Sequence, residues 1–344
     1  LATTEAPIER VAIFDEAQRA WDAAQTSKFM AQKKGREGFD MSEPEFLLSV
    51  MDRHLDWCTI VCLVGGGQEI HTGEAGITAW LDAIRDSFPD WHVYVSPDLI
   101  DAEYGAGHAL DGFTSDHRVF RDQRLHLATS MRSFRSEKVS AFVKAVLDCE
   151  IDVARGLLRD VSQKYPIAIT RKLARAKGWI HEHARGNERY GLVASSQAMR
   201  LKPHAIDVRV NVDPIHYFLS DRSDTRSSWY LEDAATDFQI QGLELDWICM
   251  TWDADLRLQS GQWRFHSFRG KRWENINSDD RRRYVLNAYR VLLTRARQGM
   301  VVFVPPGDVN DATRHPSFYD ETYAYLTAVG LQALDVSYGG GHAA

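Results

Sequence analysis

The sequence predicts an α/β fold with mainly parallel sheets, and three observations lead to this prediction. Short apolar runs of strand length alternate with longer amphipathic stretches along the chain. Hydrophobic residues make up 44% of the 344 residues, which is enough to build sizeable cores. Several apolar runs end in carboxylates or glycines, as is typical of parallel strands whose carboxyl ends face a ligand. A chain of this length corresponds to about two domains.

The first part of the chain contains the strand and helix signals of one such domain. The run at 11–14 predicts a buried parallel strand, and Ser42 with Glu45 forms a capping-box pattern that predicts a helix start. Residues 98–125 are rich in turn formers and weakly patterned, so we place the domain junction there. The predicted domains are therefore 1–125 and 126–344. The other elements predicted before the junction are strands at 59–64 and 92–95 and a helix at 77–87.

The same alternation starts again after the junction. A long helix is predicted at 280–298, with Gly299 as its cap and a strand following at 301–304. A final helix is predicted at 319–334. The remaining predicted elements are helices at 137–147, 151–164 and 172–183 and strands at 166–170, 191–194 and 247–251.

Composition excludes several classes of protein. With 41 Lys and Arg against 48 Asp and Glu, the net charge is −7, so any contact with a phosphate backbone must come from a local basic patch. No apolar run approaches the roughly 20 residues of a membrane span, and no signal peptide is visible. The four cysteines lack zinc spacing, and we interpret them as buried thiols of a cytoplasmic protein. We expect no membrane contact.

Two strand ends carry polar chemistry. The run FDEAQ at 14–18 places Asp15 and Glu16 at the end of a predicted strand, where one carboxylate can hold Mg²⁺ and the next can accept a proton from water. The alternative is that both residues cap the next helix. The run LVGGGQE at 63–69 ends a second strand in glycines, and the amide of Gln68 is placed to sense a terminal phosphate. An ordinary turn is the alternative there.

Arginines mark two further segments. The run LATSMRSFR at 127–135 contains Arg132, whose guanidinium suits bidentate phosphate recognition, although a solvated surface arginine is the alternative. The run RVLLTRAR at 290–297 lies on the predicted long helix. Arg295 falls outside the apolar stripe of that helix, so we expect it to face a site and not the core. The stripe consists of Val285, Tyr289, Leu292 and Ala296.

The run WRFHSFRGKRW at 263–273 alternates basic and aromatic residues. Aromatic faces can stack on bases and cations can follow phosphates, so Arg264, Arg269 and Lys271 are candidate nucleic-acid contacts. A β-hairpin with an aromatic face in the core and an arginine face in water is the favoured alternative.

The order of these segments resembles motifs II to VI of superfamily 1 helicases. FDEAQ resembles the DExx box, and the glycine turn through Gln68 resembles GDxxQ with Gly66 in place of the aspartate. Residues 127–133 resemble LxxNYRS, and TRA at 294–296 resembles the VxxTRA element. TDFQIQGLE at 236–244 is similar to TxHxxKGLE, with Gln239 and Gln241 in place of histidine and lysine. Within the superfamily, the sequence of these segments is similar to the Schlafen group 3-like DNA/RNA helicase domain family. The segment DTRSS at 224–228 also resembles that family.

The resemblance implies two RecA-like domains, the first of them incomplete, with ATP in the cleft between them. It implies Mg²⁺ on Asp15, water activation by Glu16, γ-phosphate sensing by Gln68 and phosphate contacts from Arg132 and Arg295. Single-stranded DNA or RNA is the implied partner. Further residues placed at the nucleotide by the resemblance are Gln18, Gly242 and Glu244, and Thr236 is placed at nucleic acid.

One motif of such an engine is missing. A phosphate loop reads GxxxxGK[ST], and no segment of these 344 residues has this pattern. We expect that the chain is a trimmed piece whose loop lies upstream of Leu1. The predicted function is an ATP-dependent nucleic-acid translocase or helicase core. The alternative is an ATP-gated binding or regulatory module of a larger defence or repair protein, without strand separation.

Overall fold

The structure, a computed structural model, describes residues 5–65, 76–100, 110, 118–127 and 134–335. The chain divides into two compact units, Leu1–Thr129 and Ser130–Ala344, here called unit 1 and unit 2. Both units combine helices with parallel strands, so the predicted mixed α/β fold with mainly parallel pairing is confirmed. No helix of the described residues is long and apolar enough to cross a membrane.

Unit 1 contains two short parallel pairs, β1 with β2 and β3 with β4. Ser42 caps the second helix by accepting a hydrogen bond from the Glu45 amide at 3.2 Å, as its sequence pattern predicts. The sequence did not indicate β4, which lies inside the stretch interpreted as turns. The described elements are β1 Val11–Phe14, α1 Ala23–Lys34, α2 Glu43–Met51, β2 Thr59–Cys62, α3 Gly76–Ser87, β3 Val93–Val95 and β4 Val119–Arg121, with 3-10 turns at Ala17–Arg19, Pro97–Ile100 and Gln123–Leu125.

The core of unit 1 lies on one side of the β1–β2 pair. Phe14 and Ile60 point toward α3, where Trp80 packs edge-on against Phe14 at 5.3 Å between ring centroids. The opposite side is open, since Val11 is 49% exposed and Ile13 is 69% exposed. The prediction that 11–14 is a buried strand is therefore wrong for alternate residues, because only one face of this pair is covered in the described residues.

Unit 2 is built on a six-stranded sheet with the order β13-β5-β12-β8-β6-β7, in which all described pairs are parallel. Every residue of β5 and β6 is buried, as expected for strands covered on both faces. The sheet strands are β5 Ile167–Thr170, β6 Tyr190–Ala194, β7 Ala234–Thr236, β8 Leu245–Thr251, β12 Ala296–Phe303 and β13 Gln332–Ala333.

Helices cover this sheet on both faces. Val301 and Phe303 of β12 pack with Trp179 of one helix, whereas the alternate residue Met300 lines a small apolar gap with Phe142 and Leu326 of two others. The helices of unit 2 are α4 Phe134–Leu147, α5 Ile151–Val161, α6 Leu173–His183, α7 Pro214–Leu219, α8 Asp237–Ile240, α9 Asp279–Leu293 and α10 Asp320–Val329, with 3-10 turns at Lys202–His204, Ser228–Tyr230 and Pro316–Phe318.

A second, antiparallel sheet connects β8 to α9. Its strands are β9 Leu256–Gln259, β10 Gln262–Arg269 and β11 Arg272–Asn275, with β10 in the centre. Ser260 and Gly261 both have positive φ, 52° and 73°, so a tight two-residue turn joins β9 to β10. β10 also pairs antiparallel with β11 across a turn at Gly270, which has φ 58°, so the hairpin alternative for 263–273 is observed.

Two helix ends differ from the predictions. The helix predicted at 280–298 ends at Leu293, and Gly299 lies inside β12 instead of capping a helix. A Cβ on Gly299 would lie 2.6 Å from the Trp247 ring and 2.7 Å from the Pro166 carbonyl oxygen, so close packing explains this glycine. The helix predicted at 319–334 ends at Val329, because Gly330 adopts φ 113° and β13 follows.

The prediction of buried thiols holds for one cysteine. Cys249 is buried in the sheet, whereas the free thiols of Cys58, Cys62 and Cys149 have intermediate exposure. Cys62 lies on β2, which pairs with β1 in a small sheet. Its thiol is therefore less buried than the apolar run predicts.

Candidate functional site

Asp15 and Glu16 form a tight turn directly after β1. Glu16 has φ 54° and ψ 45°, a left-handed conformation that non-glycine residues rarely adopt. The Asp15 Oδ1 atom accepts a hydrogen bond from the Glu16 amide at 2.9 Å. Glu16 begins the 3-10 turn Ala17–Arg19 without any capping bond from its side chain. The alternative interpretation, that Glu16 serves as a helix cap, therefore has no support from its hydrogen bonds.

Gln18 connects this turn to the end of β2. Its Nε2 donates to Glu16 Oε2 at 2.6 Å, and its Oε1 accepts from the Gly65 amide at 3.1 Å. Gln18 is only 1% exposed, so the bridge is enclosed and its geometry is restricted. The amide of Gln18 thus holds the Glu16 carboxylate at a defined place beside Gly65.

Backbone bonds fix the same turn to its neighbours. The Ala17 amide donates to the Leu63 carbonyl at 2.9 Å, and the Leu63 amide donates to the Phe14 carbonyl at 2.9 Å. From α3, the Trp80 indole donates to the Ala17 carbonyl at 2.9 Å. The turn is therefore held by β2 and α3, and the structure brings Asp15, Glu16 and Gln18 together at one edge of unit 1.

The chemistry of Asp15 fits a Mg²⁺ ligand. Its side chain is exposed, and within the described residues Oδ1 accepts the backbone bond given above while Oδ2 accepts none. Magnesium sites commonly use one or two carboxylates and complete their coordination with water and substrate phosphates. Two other predicted γ-phosphate contacts, Gln68 and Arg132, lie outside the described residues.

Arg295 lies in a different setting from the one predicted. The residue follows the end of α9 and precedes β12, so it is not on a helix. The side chain is 3% exposed, and the prediction that Arg295 lies on the long helix is wrong. The helix stops early because Thr294 adopts φ −109° and ψ 5° while its hydroxyl donates to the Arg290 carbonyl at 2.8 Å.

The sequence segments 236–244 and 290–297 meet at this junction. The Leu245 amide donates to the Arg295 carbonyl at 3.0 Å, and the Glu244 carboxylate accepts from Arg297 Nε at 2.9 Å. Gly242 adopts φ 80°, which favours glycine and leaves the backbone open at this point. Gly242, Glu244 and Arg295 are therefore close in unit 2, as the order of their segments suggests.

Thr236 has a structural role in the same segment. It caps α8, and its amide and hydroxyl both donate to Gln239 Oε1, at 2.8 and 3.0 Å. The Gln239 Nε2 atom then donates to the Val212 carbonyl at 3.1 Å. The glutamine that replaces the histidine of the motif is thus used for capping, and the predicted nucleic-acid role of Thr236 stays a prediction.

The basic hairpin separates aromatic from charged residues. Trp263 is 8% exposed and stacks on Trp252 with 5.5 Å between centroids, so it is not available to stack on a base. The candidate contacts Arg264, Arg269 and Lys271 are all exposed. The basic residues of this hairpin are therefore accessible, whereas Trp263 is not.

Sequence reasoning missed a buried carboxylate pair that follows β8. Asp253 and Asp255 are fully buried. Asp255 accepts hydrogen bonds from the hydroxyls of Ser195 at 2.6 Å and Tyr289 at 2.7 Å, and burial together with the charge of Asp253 raises its pKa to about 7. Alternating acids in the run WDAD at 252–255 were the available signal, but their burial cannot be read from spacing. We interpret this network as structural.

An exposed aromatic pair was also missed. Tyr94 of β3 and Phe120 of β4 stack with 4.9 Å between centroids and are 63% and 41% exposed. The two residues are directly opposite in the register, so pairing of the strands creates the surface. No feature of either short segment alone indicates it.

The segment DTRSS at 224–228 receives a structural explanation. Asp224 accepts from Arg226 at 2.8 Å, which closes a local turn. Ser227 and Ser228 accept hydrogen bonds from Arg189 at 3.1 and 3.4 Å, and Arg189 lies over the Trp229 ring at 5.3 Å. The segment holds Arg189 in place beside the sheet.

Comparison with known proteins identifies the family. A family model described as Schlafen group 3, DNA/RNA helicase domain, matches residues 2–306. No curated protein matches the chain. The match covers both the carboxylate turn of unit 1 and the Glu244–Arg297 junction of unit 2. The chain therefore belongs to the Schlafen group 3 DNA/RNA helicase domain family.

Proposed function

We propose that the chain is the core of an ATP-dependent nucleic-acid translocase or helicase of superfamily 1, built on two RecA-like domains. In this proposal a phosphate loop is supplied by sequence outside these 344 residues. The observation that supports it best is the carboxylate turn, where Gln18 holds Glu16 at 2.6 Å and links it to the Gly65 amide at 3.1 Å. An exposed acid beside an oriented one suits metal binding and proton transfer at the end of a strand.

The residues of unit 1 divide the proposed chemistry between them. Asp15 would hold Mg²⁺, and Glu16 would accept a proton from the attacking water. The bound Mg²⁺ neutralises charge on the ATP phosphates. Gln18 would keep the Glu16 carboxylate in one orientation, because its amide is itself held by a backbone donor. Gln68 is proposed to sense the γ-phosphate.

The residues of unit 2 supply positive charge in this proposal. Arg132 and Arg295 would contact the γ-phosphate, and a guanidinium in that role is worth about 10³–10⁵ in rate. Gly242 and Glu244 would lie near the nucleotide, since Glu244 is tied to the same junction through Arg297 at 2.9 Å. The proposed location of the protein is the cytoplasm.

Single-stranded DNA or RNA is the proposed partner. Exposed stacked aromatic rings are a typical platform for bases, at about 1–3 kcal/mol per base. Tyr94 and Phe120 form such a pair in unit 1, and Arg121, beside Phe120 on β4, is exposed. This supports a nucleic-acid surface within unit 1 itself.

The test uses a longer protein in which a phosphate loop precedes this chain. We expect Glu16→Gln to abolish steady-state hydrolysis while ATP binding is retained, because the amide keeps the shape and loses the base. Glu37→Gln, at an exposed acid after α1, is the matched control and should hydrolyse ATP normally. Wild-type hydrolysis should rise severalfold with single-stranded nucleic acid.

Two outcomes would contradict the proposal. Normal turnover by the Glu16→Gln protein would remove Glu16 from the reaction. ATP binding that changes partner affinity without strand-stimulated hydrolysis would favour the regulatory-module alternative.

A further inference from the structure

A cavity of about 350 Å³ lies in unit 2 between the antiparallel sheet and the start of α9. This volume is within the range of roughly 300–1,000 Å³ that is usual for small-molecule pockets. All three strands of the sheet and the helix contribute to its walls. The polar residues that line it are Gln259, Arg264, His266, Asn275, Asn277 and Arg282.

The walls of the cavity favour an anion. They carry two arginines, three side-chain amides and one imidazole, and none of the described residues that line the cavity is acidic. Arg282 is held in place, because its Nε donates to the Ile276 carbonyl at 2.7 Å and its Nη1 lies 3.0 Å from Asp279. Arg264 is exposed and has no salt bridge or hydrogen bond within the described part of the chain. One guanidinium is therefore fixed and the other is available to a ligand.

His266 supplies a second sign of a ligand site. The side chain is 9% exposed, and its Nε2 atom has no hydrogen-bond partner among the described residues. Buried polar atoms in native proteins nearly always have a partner, so an unpaired one in a cavity wall calls for a ligand or water. Burial, together with the charges of Arg257 and Arg264, lowers the pKa of His266 to about 4 against the opposing effect of a hydrogen bond with Asn275, so the ring is neutral near pH 7.

We infer that this cavity binds the phosphate group of a nucleotide, carried either by a single-stranded nucleic acid or by a free mononucleotide. Guanidinium groups match phosphate oxygens with paired hydrogen bonds. The amides of Asn275, Asn277 and Gln259 can serve the polar edges of a sugar or base. Trp263 is not available to stack on a base, since its ring is covered by Trp252. The inference therefore rests on the polar groups of the cavity.

The nucleic-acid form of this inference deepens the proposed function and rests on it. Arg269 and Lys271 extend exposed positive charge along the same hairpin. A strand whose phosphate occupies the cavity would therefore find further cations toward the hairpin tip. The mononucleotide form does not depend on translocation.

The experiment measures binding to the 344-residue chain without ATP. Fluorescence anisotropy with a labelled oligothymidylate forms one arm, and calorimetry with adenosine monophosphate and with inorganic phosphate forms the other. We expect Arg264→Gln to lower the affinity for the ligand by about tenfold or more, because the substitution removes a charged hydrogen bond. For the strand, the slope of log affinity against log salt should also fall by about 0.7.

Arg283→Gln is the matched control. Arg283 is on the same helix as Arg282, is paired with Asp280 at 3.1 Å and does not line the cavity. Its removal should change affinity by no more than about twofold, as expected for an exposed ion pair. Both substituted side chains are exposed, so both variants should fold.

The outcomes separate the sources of the phosphate. Arg264-dependent binding of the strand alone supports the nucleic-acid form, and Arg264-dependent binding of the mononucleotide or phosphate supports the free form. Strand binding that Arg264→Gln leaves unchanged would overturn the inference for nucleic acid while leaving the hydrolysis test of the proposed function untouched. Absence of binding of all three ligands to the wild-type chain would overturn it entirely.

Discussion

Arg295 is buried at the junction of α9 and β12, with 3% of its surface exposed, although the sequence predicts that it lies on a long helix, outside the apolar stripe. A buried guanidinium contributes to stability as well as to any chemistry it performs. Substitutions at this position therefore affect two properties together. Tests of its proposed role must measure both of them on the same protein.

We expect Arg295→Lys, in a longer protein with a phosphate loop, to cut ATP turnover by at least about 10²-fold, because lysine keeps the charge and loses the planar fork. Because the side chain is only 3% exposed, the substitution should also lower the melting temperature by about 2–10 °C. Single-turnover hydrolysis, normalised to the folded fraction, and a melting curve on the same preparation check this. A lower melting temperature with normal turnover would make Arg295 a scaffold residue.

The chemistry at single residues was only partly predictable. The run FDEAQ was enough to select Asp15 and Glu16 as candidate residues, since acids after an apolar run mark a strand end. It did not indicate the left-handed backbone of Glu16 or the bridge from Gln18 to Gly65, which joins residues far apart in sequence. Partners of this kind depend on the packing of β1 beside β2, and no local pattern contains that information.

Elements were predicted well where burial is uniform and less well at their ends. The runs that became β5, β6 and β8 are apolar apart from Asp246 and the terminal Thr170 and Thr251, so the sheet signal is strong. The end of α9 was missed because residues 294–298 continue a helical pattern until β12 pairs with β8. Gly299 looks like a cap by position, yet its neighbours Trp247 and Pro166 explain it.

The buried acid after β8 makes stability depend on pH. The pKa of Asp255 is about 7 in the folded chain and 3.8 in the reference state. Below the reference value both states are protonated, and stability falls as pH rises from about 4 to about 7, because only the unfolded state loses its proton readily. Asp255→Asn should remove this part of the decline, of the order of a few kcal/mol.

Denaturant unfolding of the two proteins at several pH values across that window measures the effect. The difference in unfolding free energy between wild type and Asp255→Asn should change steadily and level off above about pH 7. Asp160→Asn, at a side chain that is 61% exposed and paired with Lys138, is the control for the removal of one carboxylate. A constant difference for Asp255→Asn would show that its carboxyl titrates normally.

At the scale of the whole molecule, the two units differ in how completely their sheets are covered. Unit 2 has a six-stranded sheet with helices on both faces, whereas the described residues of unit 1 form two-stranded pairs that leave Val11 and Ile13 exposed. The α/β class was predictable because strand-length and helix-length apolar patterns alternate over the full sequence. The exposed side of β1 was not predictable, because an apolar run does not indicate which side of the strand will be covered.

The 344-residue chain alone should hydrolyse ATP negligibly, well below about 1 s⁻¹. The reason is that no segment of the sequence has the GxxxxGK[ST] pattern, whose backbone amides and lysine hold the β- and γ-phosphates. Phosphate release by the purified chain, with and without single-stranded nucleic acid, is the measurement. Turnover at ordinary enzyme rates would mean that another segment holds the phosphates.

Because of the left-handed backbone at Glu16, selection for stability and selection for the carboxylate favour different residues at this position. An L-residue with a side chain pays a steric cost of roughly 1–2 kcal/mol in this conformation, which glycine avoids. A screen for thermal stability alone would therefore favour glycine or asparagine at position 16 and would discard the carboxylate. Mutant libraries designed to stabilise unit 1 should keep Glu16 unchanged, because the substitution that relieves the strain of the turn also removes the group proposed to activate water.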